Sequence, residues 1–166
     1  MDMRDKPDMQ DADLALKLYD LRRETEMRKA RAMIGEVVAG GSWKDVEKIL
    51  DYEHPRNAHL RQVTGYWEMV ASFVLRGIFH PAVYLDTCSE ALFTLVCFKP
   101  HMEQIRARWP NFMMRTDEIA RDIPALRERV EHLDAMMTKW REETASRKPA
   151  RKSKKKGKTK AKRAKR

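Results

Sequence analysis

Two carboxylates on the most apolar stretch of the sequence are its first candidates for chemistry. Asp86 and Glu90 are four residues apart, a spacing that places both side chains on one face of a helix. Such a pair can act in general acid–base catalysis, or can hold a metal ion together with Glu68 or His101. A helical di-metal site, however, uses a Glu-x-x-His pattern on two helices, and this chain has none. The sequence therefore favours a structural role for both acids.

That structural role would be an acidic helix edge, with Arg76 or Arg106 as the paired cation. A second titratable pair, Glu128 and His132, has the same spacing and shares one helix face. No further pair accompanies it, so we predict a surface contact at that position. On these grounds the sequence predicts no catalytic residue and no metal ligand.

The two cysteines do not change this prediction. Cys88 and Cys97 are nine residues apart, which directs their side chains to opposite sides of a helix and prevents a disulfide between them. Neither belongs to a Cys-x-x-Cys pair or lies in a basic cluster, so we predict two buried, small apolar side chains. Glycine-rich phosphate loops and nucleophile elbows are also absent from the sequence, and no cofactor is expected.

Helical periodicity dominates the elements that carry these residues. Apolar residues recur every three or four positions, and no alternating strand pattern occurs. Gly40 and Gly41 end the first helix, Ser42 and Asp45 form a capping box, and Gly77 caps the third helix. We predict an all-α fold, a single irregular bundle of about five or six helices whose third and fourth members form a central hairpin. The periodic segments are about 13–39, 43–52, 58–76, 82–98, 101–109, 111–122 and 124–145.

Large apolar residues near the C-terminal end of the domain are candidates for a partner surface. Trp109 and Trp140 are flanked by arginines, and Met137 offers an adaptable apolar contact. In the last segment, Leu126 to Trp140 repeat with 4-3-4-3 spacing, which resembles a coiled-coil seam. The seam is predicted to pack inside the bundle or against a second copy of the chain.

Charge is divided unevenly along the sequence. The 166 residues carry 35 Lys or Arg and 25 Asp or Glu, a net charge of +10. Thirteen of the basic residues and none of the acids fall in residues 147–166, which leaves residues 1–146 with 22 basic and 25 acidic side chains, a net charge of −3. The basicity therefore belongs to a C-terminal tail attached to a mildly acidic domain.

We predict that this tail is disordered, because its composition offers nothing to bury. Its cations suit the phosphates of DNA or RNA, with binding driven by counterion release, and its lack of aromatic residues argues against base readout. Anionic lipid, an acidic protein, a nuclear import signal and plain solubility are the alternatives. The predicted nucleic-acid-binding residues are Arg147, Lys148, Arg151, Lys152, Lys154, Lys155, Lys156, Lys158, Lys160, Lys162, Arg163, Lys165 and Arg166.

Several local motifs resemble those of a bacterial family of small helical proteins known only as a domain of unknown function. They are Tyr66-Trp67-Glu68, the helix end at Arg76-Gly77-Ile78, an apolar helix through Leu85 and Leu92, and Ile105-Arg106-Ala107-Arg108 after a proline. The resemblance covers residues about 20–120. It implies a compact helical domain and assigns no catalytic residue. Some relatives carry an N-terminal membrane-spanning helix, which we do not expect here.

The sequence thus predicts a flexible N-terminus over residues 1–12, a helical domain over 13–146 and the tail over 147–166. We expect no secretory signal and no membrane span. The predicted function is a non-enzymatic helical interaction domain, tethered by its tail to DNA or RNA without sequence specificity. It would act in the cytoplasm near the nucleoid or RNA, or in the nucleus of a eukaryote.

Two alternatives remain open. One is a protein-interaction or oligomerisation module with an incidental tail, whose Leu126–Trp140 seam would face another protein or a second copy. The other is an enzyme that uses Asp86, Glu90 and a nearby histidine.

Overall fold

The structure, a computed structural model, describes residues 5–147, without the side chain of Arg147. All regular secondary structure in this part of the chain is helical, which confirms the all-α prediction. A π-helical turn (Ile34–Val38) continues the second helix, and a 3-10 turn (Lys99–His101) joins the fifth to the sixth. The helices are α1 (Met9–Arg23), α2 (Thr25–Met33), α3 (Trp43–Ile49), α4 (Asn57–Leu75), α5 (Pro81–Phe98), α6 (Met102–Arg108), α7 (Met114–Asp122) and α8 (Pro124–Arg147).

The first predicted helix, 13–39, is two helices in the structure. It begins earlier, because Asp8 caps the backbone amides of Gln10 and Asp11 and so starts α1 at Met9. It is then interrupted at Glu24, whose backbone is extended (φ −55°, ψ 143°) and whose side chain accepts a hydrogen bond from the Met27 amide. The break lets α1 pack against α5 while α2 packs against α4.

The later helices begin and end close to the predicted positions. The Ser42–Asp45 capping box is present at α3, Gly77 follows α4 with a φ of 67°, and Pro81 opens α5. The largest differences are of three residues: α3 ends at Ile49 rather than at residue 52, and α7 begins at Met114 rather than at residue 111. Met113 precedes it in the left-handed region (φ 49°), a conformation that cannot continue a right-handed helix.

The core is built around α4 and α5. Both helices carry buried residues around more than one side, so each covers several neighbours. α4 packs mainly against α2 and α7, and α5 packs mainly against α8. The predicted hairpin of these two helices exists, but contact between α4 and α5 is not the principal one. The core therefore forms where several helices pack against α4 and α5.

The stretch Pro81–Arg108 has the length and composition of a membrane-spanning helix, and half of its most apolar window is buried in the fold. Within it, α5 bends at Cys88, where φ is −121° and ψ is 18°. Thr87 Oγ1 donates to the Val83 carbonyl at 2.6 Å, a type of bond that bends helices. The stretch thus behaves here as a bent core helix followed by a turn.

The seam of α8 faces the interior of this chain. Leu126, Leu133 and Met137 are buried, Val130 is partly buried, and α8 packs on α5 and α7. Met137 is only 8% exposed, which corrects its prediction as part of a partner surface. Trp140, the last member of the seam, is 43% exposed and remains available at the surface.

Candidate functional site

The two predicted carboxylates have separate environments. Arg31 donates to both oxygens of Glu90, from Nε at 2.6 Å and Nη2 at 2.5 Å, and Arg22 Nη2 lies 3.3 Å from the same carboxylate. Arg22 also donates to the Thr87 carbonyl at 3.2 Å, beside the bend of α5. Glu90 therefore ties α1 and α2 to α5. The predicted partners, Arg76 and Arg106, are not those of Glu90, and Asp86 is not part of this cluster.

Asp86 instead lines an open cleft between α5 and α8. The cleft has a volume of about 600 Å³ and also contains Ser89, Glu128, Arg129 and His132. The structure thus brings Asp86 together with the second predicted pair. Among the residues described, no group of three His, Cys, Asp or Glu side chains is placed to hold a metal ion. The cleft is polar and open, with no nucleophile hydrogen-bonded to a base.

Glu68, considered above as a metal ligand, caps another helix. Its carboxylate accepts hydrogen bonds from the Arg115 amide at 2.9 Å, the Thr116 amide at 2.8 Å and the Thr116 hydroxyl at 2.7 Å. These amides belong to the first turn of α7, whose own N-cap residue, Met113, provides no side-chain bond. A carboxylate at this position accepts hydrogen bonds from amides that have no partner within the helix. Its negative charge also interacts favourably with the positive end of the helix dipole. No sequence pattern indicates this contact, because Glu68 is separated from Arg115 by 47 positions and from Thr116 by 48.

Both cysteines are buried, as predicted. Burial raises the pKa of the Cys88 thiol, and it raises the pKa of the Cys97 thiol to about 12. A thiolate is the reactive form of cysteine, so neither residue is prepared for nucleophilic chemistry.

Aromatic rings near α3 form a second candidate region, which we call the aromatic side and define as the half-buried Trp43 and Trp109 and the exposed Tyr52 and Trp140. The ring of Trp43 lies 5.9 Å from that of His101, and Tyr52 lies 5.8 Å from Trp109. The Trp140 ring covers Gly40, where an added Cβ would come within 3.1 Å of it. Two of the three predicted partner residues, Trp109 and Trp140, therefore belong to this side.

Arginines are placed over two of these rings. The Arg61 guanidinium lies 5.3 Å from the centre of Tyr52, and that of Arg108 lies 5.9 Å from the centre of Trp43. Arg108 also pairs with Glu47 at 2.5 Å. Sequence reasoning missed Tyr52 and Arg61, since neither stands out in its own segment and only the fold joins them to Trp109.

Many basic side chains of the domain are paired with carboxylates. Because these pairs lie at the surface, they cancel charge locally rather than collecting it into a basic patch. They include Lys29–Glu26, Arg56–Glu36, Lys99–Asp134, Arg106–Asp117, Arg115–Glu118 and Arg121–Asp122. These pairs offset part of the positive charge of the described surface.

The predicted nucleic-acid-binding residues lie outside the described residues, except for the backbone of Arg147. Arg147 is the last residue of α8, seven positions after Trp140. Just before that end, Arg141 donates to the carbonyls of Ala39, Val96 and Cys97 at 3.1–3.4 Å. These bonds hold α8 against the body of the domain at Arg141, six residues before the helix ends.

A protein-family model described as a domain of unknown function (DUF4760) matches residues 7–140. The match covers most of the chain and confirms the resemblance seen in the sequence. No curated protein matches the chain, and no solved structure does.

Proposed function

The chain belongs to the DUF4760 family, whose description assigns no function, and we propose that it is a non-enzymatic interaction domain tethered to nucleic acid by its basic tail. The tail binds DNA or RNA through phosphates, without sequence preference. The domain thereby accumulates along the polymer and contacts a protein partner there. Tethering of this kind raises the local concentration of the second contact.

The observation that carries this proposal is the separation of charge. Thirteen cations follow residue 146, whereas the residues before them have a net charge of −3. In the described domain, ion pairs such as Arg108–Glu47 and Arg106–Asp117 cancel much of the positive charge that remains. Nonspecific affinity for nucleic acid comes mainly from phosphate contacts by Lys and Arg. The tail is the part of the sequence rich enough in such residues.

The attachment point supports the tethering role. The Arg141 guanidinium donates to three backbone carbonyls, one just after the π-helical turn and two in α5, and so holds α8 against both elements. The helix that leads into the tail is therefore anchored to the core at Arg141. Trp140, exposed beside this point, is the residue of the predicted partner surface best placed for a protein contact.

The oligomerisation alternative has less support. Its proposed surface, the Leu126–Trp140 seam, is buried within the chain as far as Met137. Only the Trp140 end of the seam is left for a second copy. An enzymatic role for Asp86 and Glu90 also lacks support, because Arg31 and Arg22 engage Glu90 while Asp86 faces a different cleft.

The test is binding of the full chain and of a 1–146 truncation to single-stranded and duplex oligonucleotides over a salt series. We expect the full chain to bind with a log–log salt slope of about −4 or steeper, since each neutralised duplex phosphate contributes about −0.9. The truncation should not bind measurably near physiological salt. Equal binding by the truncation would contradict the proposal, as would no binding by either form.

A matched pair of variants controls for net charge. The tail variant changes Lys154, Lys155, Lys156 and Lys158 to Gln, and the domain variant changes the exposed Lys17, Lys44, Lys48 and Lys139 to Gln. Both remove four positive charges. The tail variant should flatten the salt slope, and the domain variant should leave it close to that of the wild type.

A further inference from the structure

A groove on the aromatic side is floored by a glycine. It lies between α4 and the segment that joins α6 to α7, with a volume of about 410 Å³. Its lining includes Arg61 and the exposed Gly65 of α4, and Trp109 and Asn111 of the joining segment. Tyr52 also lines it, and its ring contacts both Arg61 (5.3 Å) and Trp109 (5.8 Å). We call it the Gly65 groove.

No contact in the described chain explains why residue 65 is glycine. It lies in the interior of α4, where glycine weakens a helix relative to alanine. A Cβ built at this position would meet no atom within 4 Å. The missing side chain therefore leaves free space inside the groove, which is the arrangement needed where another molecule approaches the backbone closely.

The walls of the groove are held in place before any ligand arrives. Arg61 Nε donates to Asn57 Oδ1 at 2.9 Å, while buried Asn57 donates to the Ile49 carbonyl at 2.9 Å. On the other wall, the Trp109 ring packs 6.1 Å from Phe112, which packs edge-on to the buried Phe98. The Tyr52 ring contacts both walls, at 5.3 Å from the Arg61 guanidinium and 5.8 Å from the Trp109 ring. A flat ligand would therefore pack against this joined pair of rings and not between them.

A chain of contacts links Trp140, in the C-terminal part of α8, to the groove. Trp140 covers Gly40, the neighbouring Gly41 carbonyl lies 3.3 Å from His101 Nε2, and His101 packs on Trp43. Arg108 then lies over Trp43, directly before Trp109 in the chain. An extended tail of nineteen residues after Arg147 spans up to roughly 60 Å. A single strand held by the tail can therefore also reach the groove.

We propose that the Gly65 groove receives an unstacked base of single-stranded DNA or RNA, which packs against the exposed surface of the Tyr52–Trp109 ring pair. The inference rests on the proposed function, because it takes the phosphate affinity from the tail. Proteins that bind single strands without sequence preference combine cations along the backbone with aromatic rings that stack on bases. In a duplex the bases are already stacked, and extracting one has an energetic cost. The groove thus adds a preference for single strands over duplex.

Positive and negative charges at the groove are balanced, which bears on how strongly the groove alone can bind a strand. Asp51 and Glu53 flank Tyr52 in the sequence, and Glu68 at the groove is engaged by the amides of α7. Arg61 is the cation on its wall. The groove alone is therefore not expected to hold a strand, and its contribution should be measured in the full chain.

The test is a Gly65→Leu variant of the full chain, which fills the groove and removes no charge. We expect its affinity for an oligothymidine single strand to fall about tenfold, in line with the loss of one stacked base, while duplex affinity and the salt slope are unchanged. The matched control is Gly35→Leu. Gly35 is also an exposed helical glycine with no atom near its Cβ position, and it does not line the groove.

Tryptophan fluorescence provides a second readout. Base stacking should quench emission of the full chain when oligothymidine is added, and Trp109→Phe should remove part of that quenching while retaining a ring against Phe112. Circular dichroism verifies that each variant is folded.

The outcomes separate the two proposals. If Gly65→Leu binds single strands as well as the wild type, or weakens duplex binding equally, the groove does not receive a base and the inference is overturned. The tail function stands in that case, provided that the 1–146 truncation has lost binding. If the full chain binds neither single strands nor duplex, the proposed function is contradicted, and the inference about the groove fails with it.

Discussion

At the residue scale, two glycines contrast in what surrounds them. Gly65 has open space at its Cβ position, whereas a Cβ on Gly41 would lie 2.0 Å from the Val37 carbonyl oxygen. Gly65→Ala should raise the free energy of unfolding by about 0.5–1 kcal/mol, because alanine costs less backbone entropy in a helix. Gly41→Ala should lower it by about 1–3 kcal/mol, because the π-helical turn must shift.

Urea unfolding of both variants measures these changes. A Gly65→Ala variant no more stable than the wild type would show that some constraint within the chain selects glycine there. The expected gain in the free energy of unfolding on Gly65→Ala also bears on function. A position that would be more stable with a side chain but lacks one is typical of sites where function opposes stability. The base-binding groove proposed above is such a site.

At the element scale, α7 depends on a cap supplied by α4. Glu68→Ala removes the acceptor of the Arg115 and Thr116 amides and of the Thr116 hydroxyl. We expect a loss of about 1–2 kcal/mol in the free energy of unfolding, as for other helix caps. Glu68→Gln should lose less, since its amide oxygen still accepts a hydrogen bond.

The control lies in the capped helix. Glu118 pairs with Arg115 at 3.4 Å on the surface, so Glu118→Ala should cost at most about 0.5 kcal/mol. Urea unfolding of the three variants tests the order. If Glu68→Ala and Glu118→Ala were equal, α7 would be held by its packing on α4 and α8 rather than by its cap.

At the scale of the whole molecule, the core contains several weak acids that must stay protonated. Burial raises the pKa of Cys88, Tyr66 and Tyr84, and it raises that of Cys97 to about 12. The folded protein thus keeps protons that the unfolded chain releases. The stability from these groups is fully present below about pH 9, the unfolded thiol value, and is lost as pH rises towards 12.

We expect the free energy of unfolding to fall by up to about 1.4 kcal/mol per pH unit for each such group, above about pH 9 for the thiols and above about pH 10 for the tyrosines. Cys97→Ala should make this decrease less steep. Val96→Ala is the matched control, since it truncates a neighbouring buried side chain that does not titrate. It should lower stability equally at all pH values. Identical slopes in Cys97→Ala and the wild type would contradict the assigned role of Cys97.

Much of the fold could be predicted from local patterns. The boundaries of α4 and α5 and the capping box at Ser42 follow from periodicity and from residues within one turn of each helix end. The break at Glu24 could not, because apolar residues on both sides of it continue the same helical spacing. The partners of Glu90 were also beyond prediction, since Arg31 is 59 residues away.

The sequence by itself determined the helical class and the division between a mildly acidic domain and a basic tail. Both are sums over residues or short-range patterns, which need no knowledge of neighbours in space. Only the tertiary structure decided which residues share a surface. It buried Met137, left Trp140 exposed, and placed Tyr52, Arg61 and Trp109 around Gly65. Such a groove depends on how separate helices pack, and packing joins residues whose distance along the chain carries no signal.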